Sequence, residues 1–183
     1  MFRNNLELIL GPVCSGKSGE LLRRVDRYRI AGYKVLLIKP NIDTRSITVK
    51  SRIGTESKCI SIEEGKQLNS EILKGIDIVA FDEAQFLLDI YDVTKQLLEN
   101  KYKVLISALD ADFNGLPFGN VPRLINISDS ITKLTAICMK CKCEFAIFSQ
   151  KLRRGGNQIE IGDLELYEPR CFNCFIPGGS DEH

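Results

Sequence analysis

The chain has 183 residues, of which 44% are hydrophobic and 27% charged, proportions that fit one compact domain with a small appendage and exclude disorder or collagen-like repetition. Twenty-five basic against 24 acidic side chains leave a formal charge of +1, too little for a general field that gathers nucleic acid or anionic membrane, so any anion must be held by local geometry. No apolar run approaches the about 20 residues of a bilayer-spanning helix, since Leu6 to Val13 already holds Glu7, Gly11 and Pro12, and the first residues carry no leader pattern; a cytoplasmic protein without a membrane partner is expected.

In chain order, a strand at Leu6 to Leu10 precedes a helix at Ser18 to Ala31, followed by strands at Lys34 to Ile38 and Ile76 to Phe81. A helix at Ala84 to Asn100 and strands at Lys103 to Ala108 and Lys133 to Ile137 complete the series. Strands this rich in Val, Ile and Leu are buried on both faces, which demands a mostly parallel sheet flanked by helices, a phosphate-loop α/β fold. In the first helix Leu21, Leu22, Val25 and Tyr28 share one stripe; Arg23, Arg24 and Arg27 lie elsewhere on the wheel and read as a solvated face. The α/β unit is expected over residues 1–135, a small loop-rich subdomain over 136–176 and a frayed tail over 177–183.

Gly11-Pro12-Val13-Cys14-Ser15-Gly16-Lys17-Ser18 matches G-x-x-x-x-G-K-[ST] between a strand and a helix, the context this motif needs. Its glycines let backbone N–H groups turn inward around phosphate oxygens, and the helix N-terminus adds partial positive charge there. Lys17 would reach the β and γ phosphates, and Ser18 offers a hard oxygen to Mg2+. The strand Ile76 to Phe81 ends in Asp82-Glu83, at the strand end where open parallel sheets bind ligands. Adjacent acids on a strand face opposite ways, so Asp82 can serve magnesium while Glu83 meets the acceptor hydroxyl as general base. The plain alternative is an N-cap and first-turn acid for the next helix.

Near the C-terminus Cys138-Met139-Lys140-Cys141 and Cys171-Phe172-Asn173-Cys174 form two Cys-x-x-Cys knuckles, separated by residues 142–170. With the only histidine at position 183, four thiolates suit a closed structural zinc site, although Cys143 could stand in for Cys141. Reduced buried thiols or a redox pair are the alternatives. Cys14 and Cys59 read as small apolar fillers. The metal would tie both ends of a segment containing Gly155, Gly156 and Gly162, making a tethered flap able to close over a substrate and exclude water.

Gly11 to Ser18, Asp43-Thr44-Arg45, Phe81-Asp82-Glu83-Ala84-Gln85-Phe86, Leu109-Asp110-Ala111-Asp112-Phe113, Pro117-Phe118-Gly119 and the paired cysteines fall into one order from Leu6 to Cys174. In that order the chain resembles the zinc-containing thymidine kinases of the cellular and bacterial type. The resemblance implies transfer of the ATP γ-phosphoryl group to the 5'-hydroxyl of thymidine, a magnesium requirement, a homotetramer and feedback inhibition by thymidine triphosphate. By the same resemblance Glu83 is the base, and Gly11 to Ser18 with Asp43, Thr44 and Arg45 is the phosphate site. Asp82, Glu83, Ala84 and Gln85 form the magnesium and ATP segment. Phe113 and Tyr167 line the nucleoside pocket with Phe86 and Phe118 packed nearby, while Gln158, Ile159, Glu160, Ile161 and Gly162 bind the base mostly through their backbone; plain core packing is the alternative for the aromatics.

Two departures stand out: Val13-Cys14 where the family has Met-Phe, and Gly162-Asp163 where it has paired glycines. A methyl in an apolar pocket is worth only ~1–3 kcal/mol, so Val13 opens the door to deoxyuridine. Gly162-Asp163 leaves one backbone position of the flap less free. The competing reading is a phosphate-loop ATPase whose zinc ribbon acts on nucleic acid or a protein. Against it, the flap's basic patch is only Lys151-Leu152-Arg153-Arg154, with no aromatic interleaving, and no nucleic-acid partner is expected. A redox or metal-sensing protein would leave the phosphate loop unexplained.

Overall fold

A computed structural model describes residues 5–41, 48–50, 54, 56–152 and 166–178. Its elements run β1 (Leu6–Leu10), α1 (Lys17–Ile30), β2 (Val35–Pro40), β3 (Thr48–Lys50), β4 (Glu56–Lys58), β5 (Ile60–Ile62), β6 (Ile78–Phe81), α2 (Ile90–Glu99), β7 (Lys103–Ala108), α3 (Val121–Ile125), β8 (Ser130–Lys133), β9 (Ala146–Lys151) and β10 (Tyr167–Cys171). Six strands form one sheet in the order β5-β2-β6-β7-β1-β8, and every pairing in it is parallel. The connection from β1 through α1 to β2 passes over two strand positions while β8 lies on the other side of β1. The chain therefore diverges at the carboxyl end of β1, the place where open parallel sheets bind ligands.

The strict two-residue period of the strands divides the core. Ile78 and Ala80 of β6 join Ile9, Leu37 and Leu105 beneath the α1 stripe of Leu21, Leu22 and Val25. Val79 and Phe81 join Leu6, Leu8, Leu10, Val104 and Ile106 beneath Ile90, Val93 and Leu97 of α2 and Val121 and Leu124 of α3. Helices therefore cover both faces of the expected parallel sheet. Glu7 is the polar exception on the α1 side of β1. Its carboxylate accepts from Lys103 Nζ at 2.6 Å, Arg24 at 2.7 Å and the Tyr28 hydroxyl at 3.1 Å, so burial leaves it fully partnered.

Three expectations change. The helix expected at Ala84 to Asn100 is a 3-10 turn, Ala84–Phe86, and then α2 from Ile90, because Glu83 is left-handed and Leu87 extended. Asp89, which reads as a helix residue, instead accepts from the backbone N–H groups of Gly65 and Lys66 at 2.9 and 3.0 Å. The strand expected at Lys133 to Ile137 is displaced to Ser130–Lys133. Asp129 receives the N–H groups of Asn5 and Leu6 and sets the register with β1, while Ala136 leaves to pair with Ala146. Arg24 does not belong to a solvated face: its guanidinium spans Glu7, Glu20 and Thr132, stapling α1 to the sheet, whereas Arg23 and Arg27 are exposed as expected. The short strands β3, β4 and β5 carried no usable period.

Among the described residues no helix is long and apolar enough to cross a membrane.

Candidate active site

The loop after β1 is built by close approach. A Cβ on Gly11 would lie 2.6 Å from the Leu134 carbonyl oxygen and 2.8 Å from Ser15 Oγ, so only glycine lets the loop pass. Gly16 is left-handed (φ 85°) immediately before α1, the turn that aims the helix N-terminus into the loop. Two cross-links fix the rest. The Val13 N–H donates to Ser149 Oγ of β9 at 3.0 Å, and the Ser15 hydroxyl donates to the Pro12 carbonyl at 2.8 Å. Lys17 is buried, and its ammonium donates to the Pro12 carbonyl at 2.7 Å. Burial lowers its pKa against the opposing pull of Glu83, Asp82 and Asp110, with Glu83 the strongest of the three.

The acid pair stands beside this loop at the end of β6. Asp82 is buried and accepts from the Ser18 hydroxyl at 3.2 Å, the contact that joins the two motifs. Burial first and the neighbouring Glu83 charge second push the Asp82 carboxyl up to about 6. Glu83 is half-buried and sits in the left-handed region (φ 52°), which a non-glycine residue adopts only at a cost of ~1–3 kcal/mol. Gln85 Nε2 donates to Glu83 Oε2 at 2.6 Å. On the far side of β1, Asp110 and Lys133 form an ion pair across the loop's first residues, joining the ends of β7 and β8.

An aromatic wall borders the same end of the sheet. Phe86 and Phe118 meet edge to face with centroids 5.8 Å apart, and Lys151 Nζ lies 4.8 Å from the centre of the Phe113 ring. Tyr167 pairs with Lys151 across β9 and β10, so it belongs to the same corner. Asp112 holds the Phe113 loop by accepting from the N–H groups of Asn114 and Leu116.

The knuckles of Cys138 and Cys171 come together as the spacing implies. The sulfurs of Cys138, Cys141, Cys171 and Cys174 all lie within 4.8 Å of one another, and those of Cys141 and Cys171 are 3.6 Å apart. A tetrahedral ion with bonds of ~2.3 Å to sulfur needs edges of this size, so the set fits zinc. Burial alone would raise the Cys138 thiol, yet N–H groups of Cys141, Cys171 and Lys140 directed at its sulfur hold it down at about 6, a thiolate environment. The four that converge include Cys141, and Cys143 packs against them. Cys59 packs against the α1 core, as a small filler does; Cys14 is left-handed (φ 62°) at the top of the phosphate loop.

Of the residues singled out from sequence, Gly11 to Ser18, Asp82 to Phe86, Phe113, Phe118 and Tyr167 lie at one end of the sheet. Asp43, Thr44, Arg45 and Gln158 to Gly162 fall outside the described residues, as does the tail beyond Gly178. Sequence reasoning missed Ser149, whose hydroxyl holds the loop from a distant strand, and gave no role to the Asp110–Lys133 pair. No local pattern marks a contact between residues so far apart in the chain.

A parallel sheet with a phosphate-loop motif after its first strand, an acid pair at a nearby strand end and a four-cysteine cluster defines a phosphate-loop α/β protein with four thiols that could hold a metal ion. Residues 4–175 match the family model described as thymidine kinase. The chain is 38% identical over 177 residues to the thymidine kinase of Bacteroides thetaiotaomicron, covering 95% of this chain and 88% of that protein. It is 39% identical over 176 residues to the thymidine kinase of Bacteroides fragilis, covering 94% and 87%. The chain belongs to the thymidine kinase family.

Proposed function

We propose that this kinase transfers the γ-phosphoryl group of ATP to the 5'-hydroxyl of thymidine. The observation that carries the reading is the contact between its two motifs: Ser18 donates to Asp82, and Glu83 is the strongest charge acting on buried Lys17. In this reading the N–H groups of Pro12-free positions in Gly11 to Ser18, with Asp43, Thr44 and Arg45, hold the triphosphate, and Lys17 leaves Pro12 to meet the β and γ oxygens. Asp82 to Gln85 border the ATP phosphates. Ser18 and Asp82 are the hard oxygen donors that would hold Mg2+, a fit supported by the buried Asp82 carboxylate standing beside the Ser18 hydroxyl. When bound, magnesium neutralises charge that builds on the phosphate oxygens. Glu83 accepts the proton of the sugar hydroxyl as it attacks.

Phe86, Phe113, Phe118 and Tyr167 would flank the nucleoside, and Gln158 to Gly162 would read the base edge through backbone groups. Val13 replaces a larger family side chain, so we expect deoxyuridine to be accepted as well. Zinc at Cys138, Cys141, Cys171 and Cys174 would hold residues 136–176 as a unit distinct from 1–135, with 177–183 as a tail. We extend to this chain the family's homotetramer, its inhibition by thymidine triphosphate and a cytoplasmic location.

Purified protein given Mg-ATP and a panel of nucleosides should convert thymidine to its 5'-monophosphate, read by mass spectrometry. ATP hydrolysis with no nucleoside phosphorylated would instead identify an ATPase. Elemental analysis should find zinc equimolar with the chain; a fully folded, metal-free sample would refute the knuckle assignment.

A further inference from the structure

We propose that Gln85 is a positioning residue that fixes the carboxylate of Glu83, a role that rests on the reading of Glu83 as the base. Gln85 lies in the 3-10 turn Ala84–Phe86 and is only 2% exposed, so both ends of its amide must find partners inside the protein. They do so on two different strand ends. Oε1 accepts the N–H of Leu109, the residue that follows β7, at 3.0 Å, and Nε2 donates to Glu83 Oε2 at 2.6 Å. The orientation of the amide is therefore forced: the Leu109 N–H can be met only by the oxygen, which leaves the nitrogen for the carboxylate.

Glu83 needs such a partner. Its backbone is left-handed (φ 52°, ψ 37°), a conformation an L side chain holds only when its surroundings compel it, and its side chain is half-buried beside a second carboxylate. A flexible glutamate at that point has many rotamers, and a base must keep one of them aimed at the hydroxyl it deprotonates. Gln85 supplies the restraint: one amide locks Oε2 to the end of β7 and leaves Oε1 as the oxygen that faces the acceptor. The residue type is specific. Asparagine is too short to span Glu83 and Leu109, glutamate sets carboxylate against carboxylate, and methionine fills the space without bonding either partner.

Steady-state kinetics of the full-length protein with thymidine and Mg-ATP tests this. Gln85→Met should lower kcat about tenfold to 100-fold, the scale of a misplaced catalytic group, with the KM for thymidine unchanged within about twofold. Placed in a Glu83→Gln background, the same change should cost less than about twofold, because a residue that acts only through Glu83 has nothing left to position. A variant that melts earlier but keeps its kcat per folded molecule, or one that loses the same factor in both backgrounds, overturns the proposal. If Gln85→Met does not fold, the isosteric Gln85→Glu, which still accepts from Leu109, is read by the same two criteria. Wild-type turnover in Glu83→Gln would sink the assignment of the base and this inference together. An inactive Glu83→Gln beside normal Gln85 variants would sink the inference alone.

Discussion

Two carboxylates, the half-buried Glu7 near the start of β1 and the buried Asp82 beyond the end of β6, meet opposite fates. Burial alone would raise Glu7, but a hydrogen bond and charge from Lys103, the Tyr28 hydroxyl and the Arg24 charge more than offset it, and its pKa falls below 4.5. Asp82 has a hydroxyl from Ser18, a like charge in Glu83 and a lysine whose ammonium is bonded to a carbonyl, and it rises to about 6. A carboxylate thus fastens α1 to the sheet at one end and stays under-neutralised at the other. The difference is the placement of cations, and it separates a part that stabilises from a part that, in the proposed function, would meet a charged ligand.

The largest expected break in this contrast is at the poised end. Glu83→Gln should lower turnover by at least about 100-fold, the lower range for loss of a general base, while ATP binding and the melting temperature stay near wild type. At the fastened end the effects reverse. Glu7→Gln leaves Lys103 and Arg24 without their carboxylate, which should cost ~3 kcal/mol in denaturant unfolding with kcat per folded molecule retained.

The pH dependence of magnesium-free protein sharpens the comparison further. The folded pKa of Asp82 is raised from 3.8 to about 6, so its share of stability is present in acid and lost as pH climbs from about 4 to 6. The share of Glu7 runs the other way, present above about 4.5 and lost as pH falls through its lowered value. Asp82→Asn should therefore flatten the decline between pH 4 and 6, and Glu7→Gln should flatten the acid limb below it; unfolding midpoints across pH decide both. The smallest effect belongs to a neutral group: Ser149→Ala removes the bond to the Val13 N–H, worth ~1 kcal/mol, and should raise the KM for ATP about fivefold with the sheet intact.

Much of this was legible because its causes are local. Gly16 must be left-handed where the loop turns into α1, Gly11 must admit a passing backbone, and paired cysteines three positions apart can reach one ion; each requirement leaves a residue type at a fixed spacing. The buried strands β1, β6 and β7 were readable for the same reason, since both their faces are apolar. What escaped depends on contacts between distant parts of the chain. Asp89 abandons the expected helix to serve Gly65 and Lys66, Asp129 fixes where β8 begins, and Arg24 serves a carboxylate on another element. Glu83 and Gln85 were visible as a motif, but the bond between them was not.

The tie between β9 and the phosphate loop carries a last consequence. Val13 takes its bearing from a hairpin whose base is gathered by the four sulfurs, so in the proposed function a grip on nucleotide would inherit its shape from a metal held there. A chelator should therefore loosen ATP at temperatures where the parallel sheet is still intact, a fault that spreads from the rim inward.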